Sequence, residues 1–361
     1  MTLKGLKGFK KMKKLIALFL LLATLTLTFA SCRVNGNSQD VGNNGSENEG
    51  TDDNVTIKIA YMNGPTGMGM AKLIHDNGGI EGNEKYQFIK YSDAALATAD
   101  LVSGNVDMAC IPTNTASTLY NKNGKVAVLA LNCLNSLFIM TKTGTVINDI
   151  SDLEGKTIYT IQNGTPAVIL NYLLAESGVN ATVKTSIGEG EDEKIIAAPT
   201  DLAPLLIAGK VDIALVPEPV ATAAPLKIAS QNKDYTYTVA IDLTDAWNEI
   251  SESPVAMGCI IANKNFAANN KSAVNAFLDE YKLSIEYVSN PNNIEAAAQY
   301  VVDAGVLDAV VAAKKSIINL GDAIAYVDGE EMKSTLIAFY NAIGLNLIGG
   351  KLPDDGFYYE K

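Results

Sequence analysis

The chain has 361 residues, too many for one ordinary core and enough for two domains. It is 48% hydrophobic with a formal charge of −12, so it offers no basic face to nucleic-acid phosphates. Its four cysteines and single histidine show no metal-ligand spacing, which leaves no sequence reason to expect a zinc module or any other metal or cofactor.

Residues 1–32 have the layout of an export signal: six lysines precede the apolar run at residues 15–30. That run is short for a bilayer span of about 20 residues. Ala30 and Ser31 directly before Cys32 resemble the lipobox of bacterial lipoproteins, although Phe29 stands where Leu is usual. The resemblance implies cleavage before Cys32 and lipid on its thiol and amine, anchoring the chain to the membrane; the alternative is an uncleaved anchor helix. Residues 33–53 are Asn, Gly, Ser and acidic, with almost nothing to bury, and read as a flexible tether.

Residues 55–61 (VTIKIAY) alternate and are β-branched, so they predict a first strand, followed by a Gly-rich turn and a short helix over 63–79. A strand at 85–91 and a helix at 93–103 lead into LVSGNVDMACIPTNTA (101–116). This stretch recurs as LIAGKVDIALVPEPVA (206–221), identical at seven of sixteen positions and 105 residues later. In each copy a helix ends at Gly104 or Gly209, a buried strand follows Val-Asp, and Pro112 or Pro217 stops it. A helix at 115–121 and a strand at 126–132 complete the first unit. The second runs through 151–178 (loop, strand, helix ended by Gly178), a strand at 182–187, a helix at 200–208 and a strand at 235–241. A strand at 257–263 precedes a mostly helical tail, 270–348, broken at Pro291 and Gly305. Strands alternating with helices predict an α/β fold with parallel sheets and right-handed crossovers, duplicated in one chain.

The doubled Gly-x-Val-Asp strand, the strand–GPTG–helix opening at 64–67 and DLEGKTI at 152–158 resemble the type II periplasmic-binding-protein fold. In particular the chain resembles the solute-binding lipoproteins of ABC importers for nitrate, sulfonates, taurine and thiamine-pyrimidine precursors. The resemblance implies two Rossmann-like lobes joined by a two-strand hinge, with C-terminal helices. One lobe would be residues 54–135 plus 258–361, the other 140–255, with crossings near 134–142 and 252–260. It implies a monomer on the outer face of the cell membrane that binds a small-molecule ligand and serves an ABC permease and its ATPase.

Ligands of such sheets bind beyond the carboxyl ends of the strands, where helix starts offer unpaired N–H groups. Four places qualify: Asn63, Gly64, Pro65, Thr66, Gly67 and Met68; then Thr113, Asn114 and Thr115; then Gln162, Asn163, Gly164 and Thr165; then Glu218 and Pro219. Each is also a plausible helix cap and nothing more. A carboxylate at Glu218 favours a ligand with N–H or cationic donors, hence a heterocyclic amine or pyrimidine precursor over a sulfonate or nitrate. Tyr61, Tyr120, Tyr159 and Trp247 are candidates to stack on a planar ligand, Trp247 fitting a core better. Cys110, Cys133 and Cys259 lie in apolar runs, the pattern of buried free thiols, although Cys133 and Cys259 flank the crossings and a disulfide there stays open. Gly155-Lys156-Thr157 lacks the phosphate-loop glycine at position 150, which is Ile150, and His75 has no triad motif around it. Catalysis is therefore not expected; the alternatives are an exported ligand sensor for a membrane receptor and, behind it, a same-fold enzyme of cofactor biosynthesis.

Overall fold

The computed structural model describes residues 55–162, 165–251 and 253–361. The expected export signal, Cys32 and the tether lie outside the described residues, as do Asn163 and Gly164. In the first lobe come β1 (Ile57–Met62), α1 (Pro65–Met68), α2 (Ala71–Asp76), β2 (Tyr86–Tyr91), α3 (Ala94–Ser103), β3 (Met108–Pro112), α4 (Thr113–Asn123) and β4 (Val126–Leu134). The second lobe opens with β5 (Leu137–Lys142), β6 (Thr157–Tyr159), α5 (Thr165–Glu176), β7 (Thr182–Lys184), β8 (Ser186–Ile187) and β9 (Lys194–Ile195). It continues through α6 (Pro199–Ile207), β10 (Ile213–Pro217), α7 (Val220–Ser230), β11 (Tyr237–Asp242) and α8 (Leu243–Asn248). The chain then returns to the first sheet with β12 (Ala256–Asn263) and ends in α9 (Lys264–Asn269), α10 (Lys271–Ser289), α11 (Ile294–Asp303), α12 (Val310–Leu320) and α13 (Gly329–Ile343).

The repeated stretch folds the same way twice. Asp93 caps α3 by accepting from Leu96 N, and Gly104 ends the helix at φ 79°. Gly209, its counterpart 105 residues on, follows α6 at φ 66°, the left-handed conformation glycine adopts without a Cβ penalty. The strands that follow, β3 and β10, are buried over four of their five residues and sit at the centre of their sheets.

The sheets run β2-β1-β3-β12-β4 and β11-β5-β10-β6-β7, and each contains one strand the alternation rule does not anticipate. β12 is antiparallel to β3 and β4, and β5 is antiparallel to β10 and β11, so both sheets are mixed where the sequence predicts parallel ones. The physical reason is the crossing itself. Two residues, Asn135 and Ser136, join the end of β4 to β5, which enters the second sheet where β10 finishes, Leu137 opposite Pro217, and so runs back against it. β12 arrives from the second lobe in the same reciprocal manner. The two crossings are tied together: Asn135 N donates to Val255 O at 3.0 Å, and Val255 N donates to Asn135 Oδ1 at 2.8 Å.

One apolar cluster lies between the first sheet and α2, α10, α11 and α12, with Tyr61, Met68, Phe277, Tyr281 and Ile317 inside it. A second packs α6 and α7 on the second sheet. The third is continuous through both lobes on the hinge side, joining Leu131, Val255 and Ala256 to Ile158, Leu170 and Trp247 and to Phe339 of α13.

Candidate ligand cleft

The carboxyl ends of β1 and β3 face those of β6 and β10, and in this structure the opposed tips touch. A Cβ on Gly64 would lie 3.8 Å from Glu218 O and 4.0 Å from Pro219 Cδ. Thr165, the first residue of α5, donates its hydroxyl to Met257 Sδ at 3.6 Å, a second contact between the lobes. Glu218 is 1% exposed. Its Oε1 accepts from Thr222 Oγ1 at 2.8 Å and from Asn319 Nδ2 at 3.0 Å. Its Oε2 accepts from Ser316 Oγ at 3.1 Å and Thr222 N at 3.3 Å. Burial pushes the Glu218 carboxyl above its usual range, and these hydrogen bonds offset part of the rise.

Behind the tips of the first lobe lies a polar cluster centred on Tyr281 of α10. Asn132 Nδ2 donates to Tyr281 Oη at 3.0 Å, while Asn132 Oδ1, in a residue with no exposure, has no partner among the described residues. Asn114 Oδ1 is likewise buried and unpartnered. Gly258 of β12 sits between β3 and β4 against this cluster. A Cβ there would meet Thr66 Cγ2 at 2.5 Å and Asn132 Oδ1 at 2.7 Å.

The residues singled out in the sequence separate into groups. Thr66, Thr165 and Glu218 lie at or against the closed cleft. Thr113 is buried with its hydroxyl donated to Ala256 O at 2.5 Å, a pin between α4 and β12. Gly67 packs so closely on β1 that a Cβ would fall 2.0 Å from Met62 O, and Met68 belongs to the first lobe's core; both serve packing. Asn63 and Gln162 are exposed, and Asn114 and Thr115 are half-buried. Tyr61 is buried with its hydroxyl on Ala304 O at 2.8 Å, and Trp247 is fully buried with Nε1 on Ser253 O at 2.6 Å, so neither is free to stack on a ligand. Tyr120 donates to Asp354 and packs on Phe357, whereas Tyr159 is half-buried on β6. Cys110, Cys133 and Cys259 are free buried thiols, so the Cys133–Cys259 disulfide is not formed. Among the described residues no group of three or more His, Cys, Asp or Glu is placed to hold a metal ion.

Asn132, Met257, Gly258, Ser316 and Asn319 were not singled out from the sequence. Asn132 carries a legible signal, one amide inside the otherwise apolar VAVLALNCL strand. Ser316 and Asn319 show only a three-residue spacing on a helix far along the chain, and nothing in that pattern points to Glu218.

The family described as NMT1/THI5 like matches residues 85–294, more than half of the chain. This chain belongs to the NMT1/THI5-like family. No curated protein matches it. Solved structures similar to this NMT1/THI5-like chain include an ABC transporter from Parabacteroides distasonis, 22% identical with a TM-score of 0.68, covering 85% of this chain and 99% of that one. The periplasmic aliphatic sulphonate binding protein SsuA from Escherichia coli is 15% identical with a TM-score of 0.60, over 82% of this chain and 94% of that one. The periplasmic nitrate-binding protein NrtA from Synechocystis PCC 6803 is 16% identical with a TM-score of 0.52, over 77% and 74%. At these identities the likeness establishes the fold: the NMT1/THI5-like chain has the two-lobed type II periplasmic-binding architecture.

Proposed function

We propose that this chain is the substrate-binding protein of an ABC importer, capturing a small polar solute between its lobes and handing it to a permease. The observation that carries the reading is the closed meeting of strand tips from two sheets, with the buried Glu218 of one lobe held by the α12 side chains of the other. A cleft that closes on hydrogen bonds suits capture and release. The sole histidine, His75, is exposed and stacked on Tyr300 at 3.8 Å, so the cleft has no imidazole for general acid–base work, which favours binding over catalysis.

For the solute we favour one with N–H donors, such as a heterocyclic amine or pyrimidine precursor, over a sulfonate or nitrate. The chain's only arginine is Arg33, so the folded lobes have no guanidinium fork for an oxyanion. Two of the buried acceptors that lack partners among the described residues, Asn114 Oδ1 and Asn132 Oδ1, call for donors. Glu218, the basis of this preference in the sequence, has both oxygens occupied by protein donors here, so the weight moves to the two asparagines. We also propose attachment to the outer face of the cell membrane through lipid on Cys32. Labelled palmitate should enter the protein and C32S should release it.

Calorimetry of the full chain against aminopyrimidines, aliphatic sulfonates and nitrate tests both levels. Tight binding confined to the sulfonates or nitrate would reverse the solute preference. No binder across a broad metabolite library would remove the importer reading.

A further inference from the structure

The lobes meet in two different ways. On the hinge side they share one continuous apolar core, in which Trp247 of the second lobe packs on Phe339 of α13 with ring centroids 6.0 Å apart. On the cleft side α12 faces the second lobe with polar groups. Its Ala313, Ile317 and Leu320 lie in the first lobe's core. Ser316 and Asn319, three residues apart and so on one face of the helix, reach across to Glu218. Asn319 Nδ2 also donates to Thr222 Oγ1 at 2.9 Å.

We propose that Glu218, Ser316 and Asn319 form a latch that holds the cleft closed, Glu218 acting as a positioning residue rather than a ligand contact. Thr222 lies one turn from Glu218 on the same lobe, so its two bonds to the carboxylate survive opening. The bonds from Ser316 and Asn319 cross between lobes and must break. All of these partners are uncharged. The hold is therefore made of hydrogen bonds that water can replace once the carboxylate is exposed, without the cost of separating an ion pair. Closure is reversible on this side and fixed on the apolar side, which makes α12 the element that is released when the lobes part. The inference does not depend on what the solute is, and its test uses none.

The test is a spin–spin distance measurement on the full chain carrying C32S, with labels at S103C on the first lobe and S230C on the second. Both positions are exposed, and the three remaining cysteines are buried. The parent chain, without added solute, is expected to give one short separation. N319A and E218A are expected to add a longer one, and E218Q, which keeps an acceptor oxygen for Asn319, to retain the short one. S316A removes a single crossing bond and keeps the test informative if a larger change fails to fold. A parent already at the long separation would overturn the latch. So would N319A, S316A and E218A distributions indistinguishable from the parent.

Discussion

Asn319 Nδ2 lies between two acceptors of the opposite lobe, 3.0 Å from Glu218 Oε1 and 2.9 Å from Thr222 Oγ1. The amide thus ties a carboxylate that burial alone would leave poorly accommodated, and that tension has a pH signature. The Glu218 carboxyl is raised in the folded chain, chiefly by desolvation. A raised folded-state value means the folded chain holds this proton more tightly than the unfolded one. The associated stability is complete below the unfolded carboxyl value and is lost as pH rises through the folded one. E218Q has no such proton. Urea denaturation should therefore show the wild type gaining stability relative to E218Q as the pH falls from neutrality towards the ordinary carboxyl range. A difference that stays flat, or grows the other way, would mean the hydrogen bonds outweigh the desolvation.

Gly258 has no room for a side chain. An alanine Cβ would meet Thr66 Cγ2 at 2.5 Å and Asn132 Oδ1 at 2.7 Å, and neither the α1 start nor β4, paired along its length with β12, can retreat without moving its neighbours. G258A is expected to destabilise by about 1–3 kcal/mol, the usual range for overpacking a dense site. Chemical denaturation reads this directly, and wild-type stability would show that the tips of the first lobe are looser than their contacts indicate.

Much of the architecture is visible in the residues themselves. The twin Gly-x-Val-Asp strands mark β3 and β10 because a left-handed glycine, a buried run and a terminal proline are all local requirements. The reversed direction of β5 and β12 is not local. It follows from where the chain crosses, and no periodicity encodes strand direction. The same division holds at the cleft. Glu218 is readable as a strand-end carboxylate, but its partners from the other lobe lie about a hundred residues downstream on α12, brought there by Ala313 and Ile317 docking in the first lobe's core. Thr113 and Met68 look like ligand groups by position, and in this structure the Thr113 hydroxyl is bonded to Ala256 O and Met68 lies in the first lobe's core, because a helix start that faces a cleft must also be fastened to its own sheet.

The three thiols of the folded lobes should be inert in the native chain. Cys110, Cys133 and Cys259 are buried, and desolvation raises the first two to about 12 and the third further. The thiolate is the reactive form, so iodoacetamide at neutral pH should leave all three unmodified until denaturant is added. Peptide mass spectrometry checks each site. A Cys133–Cys259 cross-link in the non-reduced digest would contradict the arrangement of β4 and β12.

Trp247 is the keystone of the apolar side of the hinge, and its removal should separate the two kinds of inter-lobe contact. Its ring lies 5.4 Å from Tyr172 of α5 and 6.0 Å from Phe339 of α13, and its Nε1 donates to Ser253 O at 2.6 Å just before the chain returns to the first sheet. W247A deletes a large, fully buried side chain and is expected to cost about 3–5 kcal/mol. W247F should cost less, since it keeps most of the ring contact and loses the bond to Ser253. As this is the chain's only tryptophan, its emission in the wild type should be blue-shifted and poorly quenched by iodide until global unfolding. Loss of that protection at low denaturant, before the far-ultraviolet signal changes, would show that the lobes come apart on the hinge side first, against the continuous core that joins them there.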